Sequence, residues 1–518
     1  MSFDPMPEDR PPAPWKGMFK RFALAAVLLI VVSAGTTATV ALNKVSSIAS
    51  EVFPKVNQIS APKSVVTPVY SGEPQTFLIL GSDRRPKSKD IEDRSNPPHS
   101  DTMLLVRFDP EQEQTSVLSI PRDLMVNIRT STGQYYPAEK INAAYTIGNH
   151  IGGVRGGMLL AAETIEHEVF PGLKLNGIVD LSFQGFIRVV DTLGCAYVNV
   201  DHHYYNQNIG TPETDYSSIN LQPGYQKLCY ENALDYVRYR HTDSDFVRVA
   251  RQQDFLRDLR QQISPGNVVG QIDTVAKAVG HAVASTFHGS ASELIELAKL
   301  VAFSQGKLMR QVKFKTANVD FRQNGVTYVT STPELAQETL KEFLYGRPRL
   351  HVAGASAAQH PGHRSHHLSA PTPAALGLTA TTSAGRAEAA GEAVRLPLPV
   401  LYPGLQTVQA VQRQARAYTL ADQAGHSHHA YVTVWQQNGL GGYYDLEGTD
   451  WLNPPVIAHP DQTLKLGGRS YLIFSDGGHI HMVAWREQKA LYWLTNTLLE
   501  DLSNAQMLAI ARSAVPLR

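Results

Sequence analysis

Thr76–Leu80 and the five residues after it, TFLIL then Gly81–Arg85 (GSDRR), decide how this chain is read. An apolar run too short for a helix stops at a glycine and is followed at once by Asp83, Arg84 and Arg85, as when a buried strand delivers charge to the rim of a sheet. The pattern recurs downstream. His99-Ser100-Asp101 stands directly before Thr102–Phe108 (TMLLVRF), and Gln114–Ile120 (QTSVLSI) runs into Pro121-Arg122-Asp123, the two strands joined by a turn at Asp109-Pro110. Ile178–Leu181 and Tyr197–Val200 read as further strands. Helices are expected over Gly156–Val169, Phe183–Leu193, Asn232–Arg240 and Val247–Ile263. Strands alternating with amphipathic helices make the region from Gln75 to about Gly346 a layered α/β domain.

The densest charge lies in Tyr236–Gln253, YVRYRHTDSDFVRVARQQ, where Arg238 and Arg240 precede a junction and Arg248 and Gln252 follow it four residues apart on one helical face. Repeated guanidinium forks suit a polyanion such as pyrophosphate, since each fork can donate two hydrogen bonds. Carboxylates among them suit a hard divalent cation that bridges phosphate oxygens, most simply Mg²⁺, and a further carboxylate can accept a proton from an attacking hydroxyl. A solvated, salt-bridged face is the plain alternative for any one cluster. Four clusters in one domain favour an anion site.

In this order, GSDRR, HSDTMLL, SVLSIPRD, KINAAY (Lys140–Tyr145) and YVRYRHTDSDFVRVARQQ resemble the LytR-CpsA-Psr family over roughly residues 75–346. The resemblance implies a mixed central sheet flanked by helices. It also implies an extracytoplasmic phosphotransferase that moves a glycopolymer from a polyprenyl-pyrophosphate carrier to a peptidoglycan hydroxyl. Carried over, Asp83 and Asp101 match the family's metal ligands, with Mg²⁺ or Mn²⁺ as the cation. Arg85, Arg122, Arg238, Arg240 and Arg248 match its pyrophosphate clamp, joined by Gln252 and, on the acceptor side, by Lys140 and Asn142. Asp245 matches the aspartate that acts as base or site organiser, while Asp123 is expected to orient Arg122. His99 stands where the family commonly has arginine, and the loop between Asp83 and Asp101 is long and charged. Leu159, Leu160, Ile165, Phe183 and Phe186 are candidate walls for a lipid tunnel or plain core.

Outside this domain, Lys16, Lys20 and Arg21 precede an uncharged apolar run at 22–42. At about 1.5 Å per residue it spans about 30 Å of hydrocarbon, so it is expected as a single-pass anchor rather than a cleaved signal peptide. Residues 1–21 then stay in the cytoplasm and the rest lies outside the cell membrane. Residues 43–74 are expected as a polar stalk, 350–395 as a flexible linker of small residues and histidines, and 396–518 as a small C-terminal α+β domain of unknown role. Within that domain Tyr431–Trp435, His479–Trp485 and Leu491–Leu494 read as strands and Ser503–Ser513 as a capped helix. The two cysteines, Cys195 and Cys229, flank a loop outside the membrane and are expected to pair as a disulfide. Lys and Arg total 47, as do Asp and Glu, and this balance argues against a nucleic-acid partner. A lipid-pyrophosphate hydrolase, and a non-catalytic envelope regulator or binding protein, remain as alternative functions.

Overall fold

Side chains alternating along short strands build the first unit outward from one sheet. The computed structural model describes residues 58–83, 98–209, 217–239, 245–262, 283–287, 309–346, 371–437, 442–476 and 478–517, with 293, 296 and 300 singly. At the centre, β1 (Gln75–Ser82), β2 (Ser100–Asp109) and β3 (Gln114–Ile120) form an antiparallel meander. A hairpin of β4 (Met125–Arg129) and β5 (Tyr135–Lys140) leads into α1 (Ala143–Thr164). Then come β6 (Gly177–Ser182), α2 (Phe183–Thr192), β7 (Ala196–Val200) and the short pair β8 (Tyr204–Asn206) and β9 (Ile219–Leu221). β10 (Gly224–Leu228) pairs with β7 and is followed by α3 (Tyr230–Arg238) and α4 (Asp245–Gln262). β11 (Val283–Ser285) and β12 (Met309–Val312) complete a six-stranded sheet ordered β11-β6-β1-β2-β3-β12. It is mixed, because β6 runs parallel to β1 and β12 parallel to β3. A hairpin of β13 (Asn318–Gln323) and β14 (Val326–Thr330) and the helix α5 (Pro333–Tyr345) close the unit.

The alternation sends Leu78, Leu80, Met103, Leu105, Leu118 and Ile120 to one face of the sheet, where they share a buried core with Tyr145, Met158 and Leu159 of α1. Leu160 and Ile165 lie in that core too, so these helix residues are packing. The helix begins earlier than its expected start at Gly156 because it is broken at Gly152-Gly153, where Gly153 has φ +61, a conformation only glycine adopts readily. The opposite face carries α4, held by Gln253 Nε2 donating to Ser119 Oγ at 3.0 Å. A disulfide joins Cys195 to Cys229, tying the end of α2 to the start of α3 beside the β7–β10 pair.

Residues 1–57, with the cytoplasmic segment, the anchor at 22–42 and the start of the stalk, lie outside the described residues. No described helix is long and apolar enough to cross a membrane. The stalk does not stand free of the domain through residue 74. From residue 58 it runs along the unit: Ile59 N donates to Ser285 O (2.7 Å), Thr67 N donates to Leu175 O (2.9 Å), and Val65 is core. A segment docked mainly through its backbone has no side-chain period to announce it.

The segment expected as a linker is folded from residue 371. β15 (Leu378–Ala380) pairs with a later strand, and α6 (Ser383–Ala393) starts at Thr382, whose side chain accepts from Gly385 N. Small residues permit close approach here: a Cβ on Gly385 would sit 2.4 Å from Gln412 Oε1, and Ala389 is buried. After β16 (Leu401–Pro403) and β17 (Leu405–Thr407), seven strands form an antiparallel sheet. They are β18 (Val411–Ala421), β19 (Ser427–Gln436), β20 (Tyr443–Thr449), β21 (Gln462–Leu466), β22 (Arg469–Asp476), β23 (His479–Glu487) and β24 (Ala490–Thr495), ordered β18-β19-β20-β24-β23-β22-β21. α7 (Asn504–Arg512), started by a capping box of Ser503 and Gln506, and β25 (Ala514–Pro516) end the fold.

One face of the second sheet packs Trp435, Trp485 and Tyr492 against Met507 and Ile510 of α7. The other face meets the first unit, burying Tyr197 and Tyr225 among Leu420, Phe474, Met482 and Trp493. Hydrogen bonds line the seam: Asn199 Nδ2 donates to both carboxylate oxygens of Asp445 (3.2 and 3.1 Å) and to Thr495 Oγ1 (2.9 Å), and Tyr225 N to Glu447 Oε2 (2.9 Å).

Candidate functional site

Two strand ends and a bulge create the rim. Gly81 pairs with Thr102, but Ser82 pairs with Ser100, so Asp101 is the extra residue and its side chain is re-aimed out of the ladder. Its Oδ1 accepts from Arg122 Nη1 at 2.7 Å and from Asn142 Nδ2 at 3.4 Å. Arg122 leaves the end of β3, and its carbonyl accepts from Asn142 N (3.2 Å), so the KINAAY turn is fastened to the IPRD turn through backbone. Asp123 Oδ1 pairs with Lys140 Nζ at 2.9 Å, and its Oδ2 lies 3.6 Å from Arg122 Nε. Asp83 continues β1: its N–H donates to His99 O (3.1 Å), and its Oδ1 accepts the His99 N–H (2.6 Å). His99 thus meets Asp83 through backbone. Tyr145 of KINAAY turns inward and donates to Asp180 Oδ2 (3.0 Å).

The second wall is the α3–α4 junction. The last carbonyls of a helix lack intrahelical partners, and here α4 supplies them. Arg251 Nη1 donates to Tyr239 O (2.8 Å) and Tyr236 O (3.4 Å), and Gln252 Nε2 to Val237 O (3.1 Å). Gln252 Oε1 also accepts from Thr102 Oγ1 (3.4 Å), linking this junction to the strand that carries Asp101. Arg238 ends α3 with its guanidinium 4.1 Å from the Phe183 ring centroid, so Phe183 serves as a platform for it. Arg248, one turn before Gln252, is buried.

The structure therefore brings Asp101, Arg122 and Asn142 into direct contact, adds Asp123 and Lys140 beside them, and ties Gln252 to the same strand. Arg85 and Arg240 lie outside the described residues, as does the side chain of Asp245, which opens α4. Arg251 was not among the expected site residues. It is fully buried, bonded through Nε to Tyr204 OH (3.0 Å), and holds the junction that presents Arg238. The signal was present: Arg251, Phe255 and Leu259 recur every four residues, the spacing of a buried stripe. Among the described residues no group of three or more side chains is assembled to hold a metal. Asp83 and Asp101, at the same end of neighbouring strands, present hard carboxylate oxygens. That donor type fits Mg²⁺ or Mn²⁺ when substrate oxygens complete the shell.

The model of the LytR_cpsA_psr family matches residues 36–343, more than half of the chain. The chain belongs to the LytR_cpsA_psr family. It is 30% identical over 274 residues to an uncharacterised protein of Staphylococcus aureus (strain NCTC 8325 / PS 47), covering 51% of this chain and 60% of that one. Similarity to the Biofilm regulatory protein A of Streptococcus mutans serotype c (strain ATCC 700610 / UA159) is 26% over 276 residues, or 52% of this chain and 63% of that one. The chain thus spans less than two thirds of the length of either relative. It is 27% identical over 268 residues to the polyisoprenyl-teichoic acid–peptidoglycan teichoic acid transferase TagT of Bacillus subtilis (strain 168), covering 52% of this chain and 75% of TagT. Of solved structures, TagV of B. subtilis superposes with a TM-score of 0.41 at 24% identity, over 54% of this chain and 99% of that one. The LytR_cpsA_psr match ends before the second unit, which begins at about residue 371.

Proposed function

We propose that this LytR_cpsA_psr chain transfers a glycopolymer from a polyprenyl-pyrophosphate carrier to a peptidoglycan hydroxyl outside the cell membrane. The observation that carries the reading is the Asp101–Arg122 pair, 2.7 Å apart, set on a bulge at the rim where the α3–α4 arginines converge in sequence. The name of the TagT relative, a polyisoprenyl-linked teichoic acid transferase, supports it. Phosphoryl transfer depends on in-line positioning and on neutralising charge as it develops. Arg122, Arg238 and Arg248, with Arg85 and Arg240, bind the pyrophosphate oxygens, and Lys140 adds a point charge on the acceptor side. The acceptor oxygen forms a bond to the glycan-bearing phosphorus as the bridging P–O bond breaks, and polyprenyl phosphate leaves. Asp245 takes the proton of the attacking hydroxyl or organises the water that does. When bound at Asp83 and Asp101, Mg²⁺ or Mn²⁺ would offset the charge on phosphate oxygens.

The disulfide supports an oxidising compartment, hence the extracytoplasmic side. The anchor at 22–42 keeps the rim beside its lipid substrate as a single-pass membrane protein. The test uses the full chain in detergent with a polyprenyl-pyrophosphate-linked sugar, Mg²⁺ and a peptidoglycan fragment, read by mass spectrometry. A phosphodiester-linked product, lost in Arg122→Ala, is the expected result. Release of polyprenyl phosphate without acceptor product would instead indicate a hydrolase, and lipid left intact would leave a binding protein.

A further inference from the structure

Between the two units lies a cavity of about 710 Å³, within the range of about 300–1,000 Å³ in which small-molecule sites fall. We infer that this cavity binds a saccharide, so that the second unit forms a glycan-selecting wall beside the phosphate site. The inference rests on the function proposed above and names a subsite for it.

Position is the first support. Pro121, which immediately precedes Arg122, lines the cavity, as do Phe246, Val249, Ala250 and Gln253 from one face of α4. A glycan attached to a phosphate held by Arg122, or one bringing its hydroxyl to that phosphate, would reach this space past Pro121.

Composition is the second. Phe246, Phe314, Leu498 and Leu499 supply apolar surface, which sugar rings cover with their C–H faces, and Gln253, Gln311 and His479 supply planar polar groups. The wall is poorly suited to another phosphate, because its cations are engaged by protein. Arg310 Nη2 donates to Ser116 Oγ (3.1 Å) and to the carbonyls of Glu342 and Phe343, and Lys313 Nζ donates to Leu499 O (2.7 Å). Arg310 Nε has no hydrogen-bond partner but is itself buried, so the arginine presents no free fork to a phosphate.

Glu500 is the third. Burial, reinforced by Asp476 and opposed by Lys313 and Arg257, pushes its carboxyl up to about 8. At neutral pH it therefore keeps its proton and offers both a donor and an acceptor to hydroxyl groups. Its backbone sits at φ +57, a left-handed conformation that costs a non-glycine residue energy and that clusters at functional positions.

The donor glycan and the wall glycan share this chemistry, and the probes separate them. Binding to the full chain is measured by saturation-transfer NMR and calorimetry. The probes are a soluble N-acetylglucosaminyl-N-acetylmuramic acid disaccharide, a phosphate-free oligosaccharide released from the cell's lipid-linked glycan, and inorganic pyrophosphate as the rim probe. One saccharide should bind, and Glu500→Gly and Leu498→Trp should each weaken it at least tenfold, while Glu500→Gln stays within threefold and pyrophosphate binding is unchanged. Glu500→Gly relieves the left-handed strain, so an unchanged thermal transition will show that its loss of binding is not unfolding. Saccharide binding that is equal in all variants, or absent from the unaltered chain, overturns the inference. Absence of lipid-pyrophosphate cleavage by the unaltered chain is a separate readout and overturns the function proposed above.

Discussion

The sheet rim and the seam between the two units both gather carboxylates around arginine, and they treat them oppositely. At the rim, Asp101 and Asp123 lie against Arg122 and Lys140 and keep part of their surface in water. In the seam, Asp254 and Asp476 are buried and pair with Arg257, and the half-buried Asp258 and Glu500 feel the same charge. Burial, only partly offset by Arg257, raises Asp254 to about 6 and Asp258 to about 8. Acids in reach of solvent can meet a cation or a substrate. Acids with less water hold their protons to higher pH and can then act as hydrogen-bonding parts of an interface. The same residue types are thus a reactive surface in one place and an adhesive in the other.

The largest effect should come from the rim. Arg122→Ala is expected to cut transfer by about a thousandfold, the upper range for losing a preorganised donor to developing charge. Its melting temperature should hardly move, and a large melting shift would mean that the rim pair is structural. Next is the frame of the seam. Cys195→Ser releases the loop that carries Tyr197, Asn199 and Tyr225, and should cost about 3.5–4 kcal/mol by denaturant unfolding. Arg257→Ala leaves its acids unpaired and should cost about 3 kcal/mol, with pyrophosphate binding at the rim retained. Loss of that binding would mean that the seam also sets the rim geometry through α4.

A pH titration sharpens the contrast further. Asp254, Asp258 and Glu500 have folded-state pKa values above their unfolded ones, so the folded state holds extra protons between about 4 and 8. Their contribution is fully present at acid pH and is lost as pH rises through about 6 to 8. The melting temperature should therefore fall between pH 5.5 and pH 8.5. A rise over that interval would count against the buried acids. The smallest effect is expected for Lys140→Ala, whose ammonium pairs with Asp123 rather than Asp101. Transfer should drop by less than about tenfold, as for an exposed point charge.

Legibility followed the kind of signal. β3 was read at its observed bounds, β1, β2 and β6 were found short by one or two residues at each end and β7 by one at its start, because two-residue alternation or continuous apolar runs mark a strand locally. The break in α1 hid its first half, since a Gly152-Gly153 pair reads as a stop. Arg251 was passed over because an arginine among arginines reads as surface charge, and only its spacing with Phe255 points inward. The folded stretch from residue 371 was missed because small residues signal poor burial when counted singly, yet allow close approach once a partner sheet exists.

By itself the sequence determined the strands, the charged rim, the motif order and the cysteine pair, because each depends on residues near one another or on a one-to-one choice. Only tertiary structure decided that Asp101 leaves the ladder at a bulge to meet Arg122, that Arg251 and Gln252 cap α3, and that the second unit docks through Asn199, Asp445 and Arg257. Those contacts join residues from 12 to 246 positions apart. Whether a carboxylate there is ionised or neutral depends on water excluded by the whole fold, which no local pattern records.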